Sequence, residues 1–259
     1  MKNPDKLDLE KVRAGLKAVY LGTTIRVHQE VDSTQEEMRR RLSRRRAGAV
    51  IVAESQTAGR GRRGRPWFDR PGQDLLFSVL LPPLPRVTGL LPVTLGAYLS
   101  EALEAESGAR VLAQWPNDLV VGPAKLGGIL VEKVGEVCLV GIGLNVKGRA
   151  DEVAQRAGRA VTTLEAEAGR KLSRETVLAG ALNVLDRAYA QLLSDDRVPL
   201  VHKLEERDAL RGKLVQVSGP QGVLEGRAVG LTADGALLVR TGAAITEVIA
   251  ADEVKVLDS

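Results

Sequence analysis

The chain is poor in cysteine, histidine and aromatic residues. Its 259 residues include one cysteine, two histidines, two tryptophans, three tyrosines and two phenylalanines. A single cysteine, Cys138, excludes an intramolecular disulfide and a thiolate cluster for zinc or iron–sulfur. It also fits a reducing compartment, and we expect a cytoplasmic protein. His28 and His202 are far apart in the sequence, so neither a histidine metal site nor a proton relay is predicted.

Long hydrophobic runs and a strong charge imbalance are absent as well. No stretch reaches the roughly 18 uninterrupted apolar residues of a membrane-spanning helix, and residues 1–11 lack the pattern of a secretory signal. The formal net charge is only +4, and 44% of the residues are hydrophobic. This composition is typical of a globular protein, and the small charge surplus is a weak argument for nucleic-acid binding.

Apolar periodicity predicts strands alternating with helices, which is an α+β or α/β layer architecture. The predicted strands cover residues 24–31, 49–53, 75–81, 110–115, 118–121, 126–133 and 136–142. Helices are predicted over residues 35–46, opened by a capping box of Thr34 with Glu37, and over residues 89–106 and 173–193. Too few residues precede the first strand for a helix-turn-helix domain. We therefore predict a domain of residues 1–210 and, from the short glycine-punctuated strands that follow, a small β domain of residues 211–259.

Two arginine-rich segments carry much of the positive charge. The first is the predicted helix with Arg39, Arg40, Arg41, Arg44, Arg45 and Arg46, which is either a solvated face or a contact for an acidic partner. The second is the aperiodic segment 56–74, a predicted long loop in which glycines allow close backbone approach and arginines offer forked donors to an anion. Alone, this loop fits nucleotide-phosphate binding, nucleic-acid binding or a flexible surface loop equally well.

Two further segments combine turn residues with single functional groups. Asn117 and Asp118 follow a Trp-Pro pair, and Lys125 begins a strand whose paired glycines, Gly127 and Gly128, leave room beside the sheet. A strand ending in glycines then leads to Asn145. Taken alone, Lys125 is more commonly a solvated lysine at a strand end, and the segment before Asn145 could equally be a β-turn.

Taken together and in order, these motifs resemble those of the biotin protein ligases, that is, the biotin–[acetyl-CoA-carboxylase] ligases. The matching motifs are Asp32-Ser33-Thr34, Gly59-Arg60-Gly61-Arg62-Arg63-Gly64-Arg65 with Trp67, Trp115-Pro116-Asn117-Asp118, Lys125-Leu126-Gly127-Gly128-Ile129-Leu130-Val131-Glu132 and Gly143-Leu144-Asn145. The resemblance extends from about residue 25 to the C-terminus. It implies an α+β fold, namely a mixed-sheet catalytic domain of the class II aminoacyl-tRNA synthetase/biotin ligase type followed by a small C-terminal SH3-like β-barrel.

The resemblance also implies a reaction and the residues that serve it. Biotin would be activated by ATP, with Mg²⁺, to biotinyl-5′-AMP and passed to a lysine of a biotin carboxyl carrier protein. The implied catalytic residues are Lys125 and Arg60. The implied biotin-binding residues are Ser33, Thr34, Gln35, Gln56, Arg60, Gly61, Arg62, Lys125, Gly127 and Gly128. The implied nucleotide-binding residues are Arg62, Arg63, Arg65, Trp67, Asn117 and Asn145, and Asp118 is implied to orient the metal or Lys125.

Two residues depart from the family pattern, and two other functions compete. Gln114 stands where the family usually has lysine, and Gln35 where asparagine is common.

A lipoate or octanoate ligase shares the fold and a key lysine, but its linear apolar slot does not call for the Gly-Arg loop. A nucleic-acid-binding protein is the rival from another class, although so few aromatics offer little base stacking, and no DNA partner is expected. Open strand edges near residues 132–140 would suit a homodimer or docking of the carrier.

Overall fold

The computed structural model describes residues 6–42, 46–84, 89–194, 196, 198–220 and 222–257. Its helices are α1 (Leu9–Gly15), α2 (Thr34–Arg40), α3 (Leu90–Ser107), α4 (Asp151–Ala157), α5 (Leu164–Ala168), α6 (Arg174–Leu193) and α7 (Val198–Arg207). The strands of the first sheet are β1 (Thr24–Val31), β2 (Ala49–Gln56), β3 (Leu75–Leu81), β4 (Leu112–Gln114), β5 (Asp118–Val121), β6 (Ala124–Val134) and β7 (Val137–Leu144). Those of the second are β8 (Leu214–Gly219), β9 (Gly222–Leu231), β10 (Leu237–Thr241), β11 (Ala244–Val248) and β12 (Glu253–Val256).

The first sheet is mixed and has the order β1-β2-β3-β7-β6-β5-β4. Only β1 and β2 run parallel, and α2 forms the crossover between them. The second sheet is antiparallel, with the order β11-β10-β9-β8-β12. The α+β class predicted from the sequence is therefore confirmed, including its C-terminal β unit.

Both faces of the first sheet are covered, which explains its apolar central strands. In β2, Val50 and Val52 belong to the large core beneath α3 and α6, whereas Ala49 and Ile51 pack with Met38 of α2 on the opposite face. The large core continues into the second sheet, since Val215, Val217 and Val239 are part of it. One continuous core thus supports both sheets.

Buried polar contacts fix the ends of the first sheet. Glu54, at the end of β2, pairs with Arg174 of α6 at 2.7 Å and accepts the backbone N–H of Leu7 at 2.7 Å. Trp115 donates its indole N–H to the carbonyl of Gly235 at 2.9 Å, which ties β4 to the turn between β9 and β10. The end of β2 and the chain after β4 are therefore held in place, and both lead directly into the predicted site.

The helix predicted over residues 35–46 is shorter in the structure. Ser33, not Thr34, is the N-cap and accepts from the backbone N–H of Gln35, because the Thr34 hydroxyl bonds instead to Ser78. The helix ends at Arg40, and Arg44 and Arg45 lie outside the described residues. The preceding arginines pair with carboxylates of this chain: Arg39 with Glu132, Arg40 with Asp32 and Glu37, and Arg41 with Glu37.

Among the described residues, no helix has both the length and the apolar character that crossing a membrane requires.

Candidate active site

A cleft of about 1070 Å³ opens over one end of the first sheet and is closed on one side by the last strand of the second. Its walls come from the β1–α2 junction, the Gly-Arg loop after β2, the chain from β4 to β6, the α4 segment and β12. Gln56 ends β2 and Gly128 lies on β6, with β3 and β7 between them. Three strand spacings separate β2 from β6, so the cleft is long enough, at roughly 14 Å, for an extended small molecule.

The floor of the cleft lacks side chains at a cross-strand pair of glycines, Gly128 and Gly143. The indole of Trp67 lies on them: a Cβ atom at Gly143 would be 2.5 Å from the ring, and one at Gly128 would be 3.2 Å from it. Both distances are shorter than an ordinary carbon–carbon contact. Glycine is therefore required at position 143 for the Trp67 ring to rest on the sheet, and a side chain at position 128 would be tight against the ring.

One end of the cleft is a cluster of uncharged polar groups. The Gln56 side-chain oxygen accepts from the Thr34 backbone N–H at 2.7 Å and from its hydroxyl at 3.2 Å. Thr34 also bonds to Ser78 at 2.8 Å, and Gln35 donates to Glu132 at 2.6 Å. These bonds fix the Thr34 and Gln56 side chains within an apolar sheet, which is the arrangement that orients a small polar ring.

The Gly-Arg loop, residues 59–67, is a narrow hairpin that ends at Trp67. The Trp67 N–H donates to the Gly59 carbonyl at 2.9 Å and the Gly61 N–H to the Arg65 carbonyl at 2.8 Å. Its tip is a 3₁₀ turn, Arg62–Gly64, in which Arg63 adopts φ 54°. Arg63 also pairs with Asp252 just before β12, so the tip reaches the second sheet.

The cleft carries a surplus of positive charge. Among the described residues it is lined by nine basic side chains, Arg60, Arg62, Arg63, Arg65, Lys125, Arg156, Arg159, Lys213 and Lys255, against three acidic ones, Asp118, Asp252 and Glu253. Burial lowers the pKa of Arg62 from its ordinary value, Arg63 and Arg65 lower it further, and Asp118 acts in the opposite direction. A bound anion would relieve this repulsion, so the charge pattern favours an anionic ligand.

Lys125 is the second residue of β6, and its side chain lies over the glycine floor. Its Nζ pairs with Asp118 Oδ1 at 2.7 Å and lies 5.3 Å from the centre of the Trp67 ring. The side chain is 20% exposed, so the ammonium is within the cleft but still accessible to a ligand. In this position it combines a fixed location with a full positive charge.

Two polar atoms in the cleft are buried without a hydrogen-bond partner among the described residues: Trp67 Nε1 and Asn145 Oδ1. Asn145 follows β7 and is 2% exposed. Its amide nitrogen approaches the Lys125 carbonyl at 3.5 Å. Buried polar atoms normally have partners, so a donor and an acceptor left open in one cleft indicate a ligand with complementary groups.

The structure brings together nearly all the residues predicted to form the site. The cleft is lined by Ser33, Thr34, Gln35, Gln56, Arg60, Gly61, Arg62, Arg63, Arg65, Trp67, Asn117, Asp118, Lys125, Gly128 and Asn145. Gly127 is the exception: it does not line the cleft, and its part in binding biotin stays a prediction. Neighbouring residues of a strand face opposite sides, and a Cβ at Gly127 would meet Leu144 and Leu119 of the core instead of the cleft.

Several residues of the cleft were not among the predicted site residues, including Gly143, Arg156 and Arg159. Gly143 lies in a recognised motif, and its spacing of two from Gly141 was the signal for a shared face. Arg156 lies over the ring of Phe68 at 4.3 Å, and Arg159 pairs with Asp118 at 2.8 Å. In the sequence, neither arginine can be told from the other arginines of a segment rich in alanine and arginine. Only tertiary packing brings these two to the cleft.

Asp118, the residue predicted to orient Mg²⁺, is already engaged by two cations. Its Oδ1 accepts from Lys125 and its Oδ2 from Arg159. Among the described residues, no three His, Cys, Asp or Glu side chains come together as a metal site. The residues present do not fit a Mg²⁺ ion held by the protein, and magnesium enters below only as a component of the MgATP substrate.

Comparison with known proteins identifies the class to which this fold and cleft belong. Residues 27–148 match the profile of the biotin/lipoate A/B protein ligase family, and residues 212–252 match that of the biotin protein ligase C-terminal domain. The two matched segments contain the cleft residues of the first sheet and most of the second sheet.

Individual relatives agree with this assignment. The bifunctional ligase/repressor BirA of Escherichia coli is 31% identical over 225 residues, covering 84% of this chain and 70% of that protein. The biotin–[acetyl-CoA-carboxylase] ligase of Paracoccus denitrificans is 30% identical over 232 residues, covering 86% of this chain and 96% of the relative. A solved structure of the Aquifex aeolicus biotin protein ligase in complex with biotin and ATP superposes with a TM-score of 0.80 at 31% identity, covering 90% of this chain and 99% of that one.

The chain belongs to the biotin/lipoate A/B protein ligase family and, within it, to the biotin protein ligases. It is therefore a ligase enzyme, and the resemblance seen in its sequence motifs is confirmed.

Proposed function

We propose that this enzyme joins biotin to AMP in the cleft and then transfers the biotinyl group to a lysine of a biotin carboxyl carrier protein. In the first step a biotin carboxylate oxygen attacks the α-phosphorus of MgATP, and pyrophosphate leaves. In the second, the amine of the carrier lysine attacks the biotinyl carbonyl carbon, and AMP leaves. The division into residues 1–210, which would carry this chemistry, and residues 211–259, which would close the cleft, is part of the proposal.

The arrangement of the cleft's two ends is the observation that carries this proposal. Thr34 and Gln56 supply an ordered polar cluster at one end, while Lys125 and Arg62 supply positive charge farther along. Biotin has a polar ureido ring at one end and a carboxylate at the other, so it matches this polarity. The distance between the ends fits an extended ligand, with its carboxylate beside Lys125.

Lys125 is proposed to act by charge and position. Activation brings a carboxylate and a phosphate together, and both steps develop negative charge on oxygen. An ammonium held over the glycine floor lowers the repulsion between the reactants and stabilises the charge that develops at phosphorus. No covalent intermediate with the protein is needed.

Trp67 and the Gly-Arg loop are proposed to shield the product of the first step. An acyl-adenylate is a mixed anhydride that water hydrolyses. The loop forms one wall of the cleft, Trp67 lies against the sheet, and Arg63 reaches Asp252 on the opposite wall. This closure would exclude water from the anhydride.

The test is pyrophosphate release by the purified protein with biotin and MgATP, followed by mass spectrometry of an added carrier domain. The expected result is AMP formation and one biotinyl group on the carrier lysine. Lys125→Ala should lower kcat by about a hundred- to a thousandfold, as loss of one preorganised charge does in other enzymes. Lys171→Ala is the matched control, because Lys171 is 89% exposed and outside the cleft lining.

Two results would contradict the proposal. A folded wild-type protein that releases no pyrophosphate with biotin does not carry out the first step. Reaction with lipoate or octanoate in preference to biotin would assign the polar end of the cleft to a different acyl substrate.

A further inference from the structure

Arg159 has no role in the proposal so far, yet it shares the carboxylate of Asp118 with Lys125. Lys125 Nζ lies 2.7 Å from Oδ1 and an Arg159 guanidinium nitrogen lies 2.8 Å from Oδ2. The Asp118 side chain is only 13% exposed. A carboxylate this deeply buried requires compensation by charge or hydrogen bonds, and here it has two cations.

The backbone fixes Arg159 beside Lys125. The Lys125 N–H donates to the Ala160 carbonyl at 3.0 Å, and the Thr162 N–H donates to the Lys125 carbonyl at 2.9 Å. Gly158 ends α4 in the left-handed conformation, with φ 64°, and turns the chain toward β6. Lys125 and Arg159 are therefore parts of one hydrogen-bonded unit, although 34 positions separate them in the sequence.

The two cations differ in where they face. Lys125 lies over the glycine floor beside Trp67, where the ligand is proposed to bind, and its side chain is 20% exposed. Arg159 lies at the rim and is 40% exposed. The ligand's anionic groups would therefore be met by Lys125, and Lys125 is the cation that must give up its bond to Asp118.

We propose that Arg159 is a positioning residue that holds Asp118 and thereby releases Lys125 to the substrate. This rests on the function proposed above. While Arg159 stays on Oδ2, Lys125 can turn to the carboxylate and phosphate oxygens without leaving a buried carboxylate unpaired. Without Arg159, Asp118 keeps Lys125, and the charge needed in the transition state is withheld.

The test compares Arg159→Gln, Arg159→Lys and Asp118→Asn with the double variant Arg159→Gln/Asp118→Asn in pyrophosphate release. Arg159→Gln should lower kcat about ten- to a hundredfold, the cost of one uncompensated buried polar group, and leave the KM for ATP unchanged. Arg159→Lys should restore most of the rate. In the Asp118→Asn background, Arg159→Gln should have no further effect, because no buried carboxylate then remains to be neutralised.

Arg187→Gln serves as the control, since Arg187 pairs with Glu101 at 2.7 Å on α3, away from the cleft. A raised KM for ATP at constant kcat would mean that Arg159 binds the nucleotide itself, and the proposal would be wrong. Additive effects in the double variant, or a wild-type rate for Arg159→Gln, would also overturn it. If Asp118→Asn is inactive or unfolded, the single variants decide whether the proposal holds. A lowered kcat with unchanged KM for ATP in Arg159→Gln, and a recovered kcat in Arg159→Lys, would support it. A wild-type enzyme without activity would refute the proposed function instead.

Discussion

Replacing Gly143 by alanine should damage the reaction without unfolding the protein. The added methyl group would lie 2.5 Å from two carbons of the Trp67 indole, whereas carbon atoms in contact are about 3.5 Å or more apart. The ring therefore has to move by roughly 1 Å. Trp67 ends the Gly-Arg hairpin, so its displacement shifts the wall that faces Lys125.

The structure gives the size of the effect and a graded control series. Overpacking of this kind costs about 1–3 kcal/mol, and a misplacement of about 1 Å in an active site can cost about a hundredfold in rate. A Cβ at Gly128 would be 3.2 Å from Trp67, while one at Gly180 in α6 would meet nothing within 4 Å. We therefore expect Gly143→Ala to be the slowest, Gly128→Ala intermediate and Gly180→Ala unaffected, with α6 stabilised by up to about 1 kcal/mol.

Single-turnover adenylate formation, thermal unfolding and tryptophan fluorescence would measure these effects separately. The chain has two tryptophans, and Trp115 is buried and bonded to Gly235, so a change in the emission of the folded protein, below its Tm, reports on Trp67. Wild-type emission and rate in Gly143→Ala would refute the argument that the glycine floor exists to seat the ring.

Two further predictions concern the loop and the pH dependence of stability. Trypsin should cleave residues 59–67 more slowly when biotin and MgATP are present, because a bound anionic ligand engages the arginines of the loop and holds it against the cleft; equal rates would count against this. Burial acts to raise the pKa of Glu165, but hydrogen bonds from the Gly148 and Leu172 amides and the charge of Lys171 outweigh it, so the net pKa is lowered. Ionised Glu165 should thus stabilise the fold at pH values above its ordinary pKa of 4.5. This stabilisation is lost as the pH falls through the lowered pKa. In urea titrations, Glu165→Gln should lower the free energy of unfolding at neutral pH, and this loss should become smaller at acidic pH. A loss that does not change with pH would contradict the prediction.

Strands and glycine-rich turns could be predicted from the sequence because their signals are local. The predicted bounds of β1, β3 and β5 agree with the structure. Each contains β-branched or apolar residues and is followed by turn residues. The end of α2 could not be predicted in the same way. Arginines continue past Arg40 with good helix propensity, yet the structure ends the helix there.

Residues that line the cleft could be identified from the sequence wherever a motif carried its own functional group, as with Lys125 and Trp67. Gly127 does not line the cleft. The sequence could not separate it from Gly128, because two adjacent glycines look alike, whereas a strand sends their Cβ directions to opposite faces. Arg159 gives no local signal at all. Its contact with Asp118 spans 41 positions and depends on the pairing of Lys125 with the chain after α4.

The buried parts of the fold explain how an open, strongly basic site is tolerated. The buried pair of Glu54 and Arg174 lies outside the cleft lining, and the continuous apolar core supports the cleft from below through Trp115, Ile129 and Ile142. The cleft itself combines glycines, unpartnered polar atoms and mutually repelling arginines, all of which cost stability in the free protein. An anionic ligand that meets these groups recovers that cost on binding. The same features that cost stability in the free protein therefore make ligand binding in the cleft favourable.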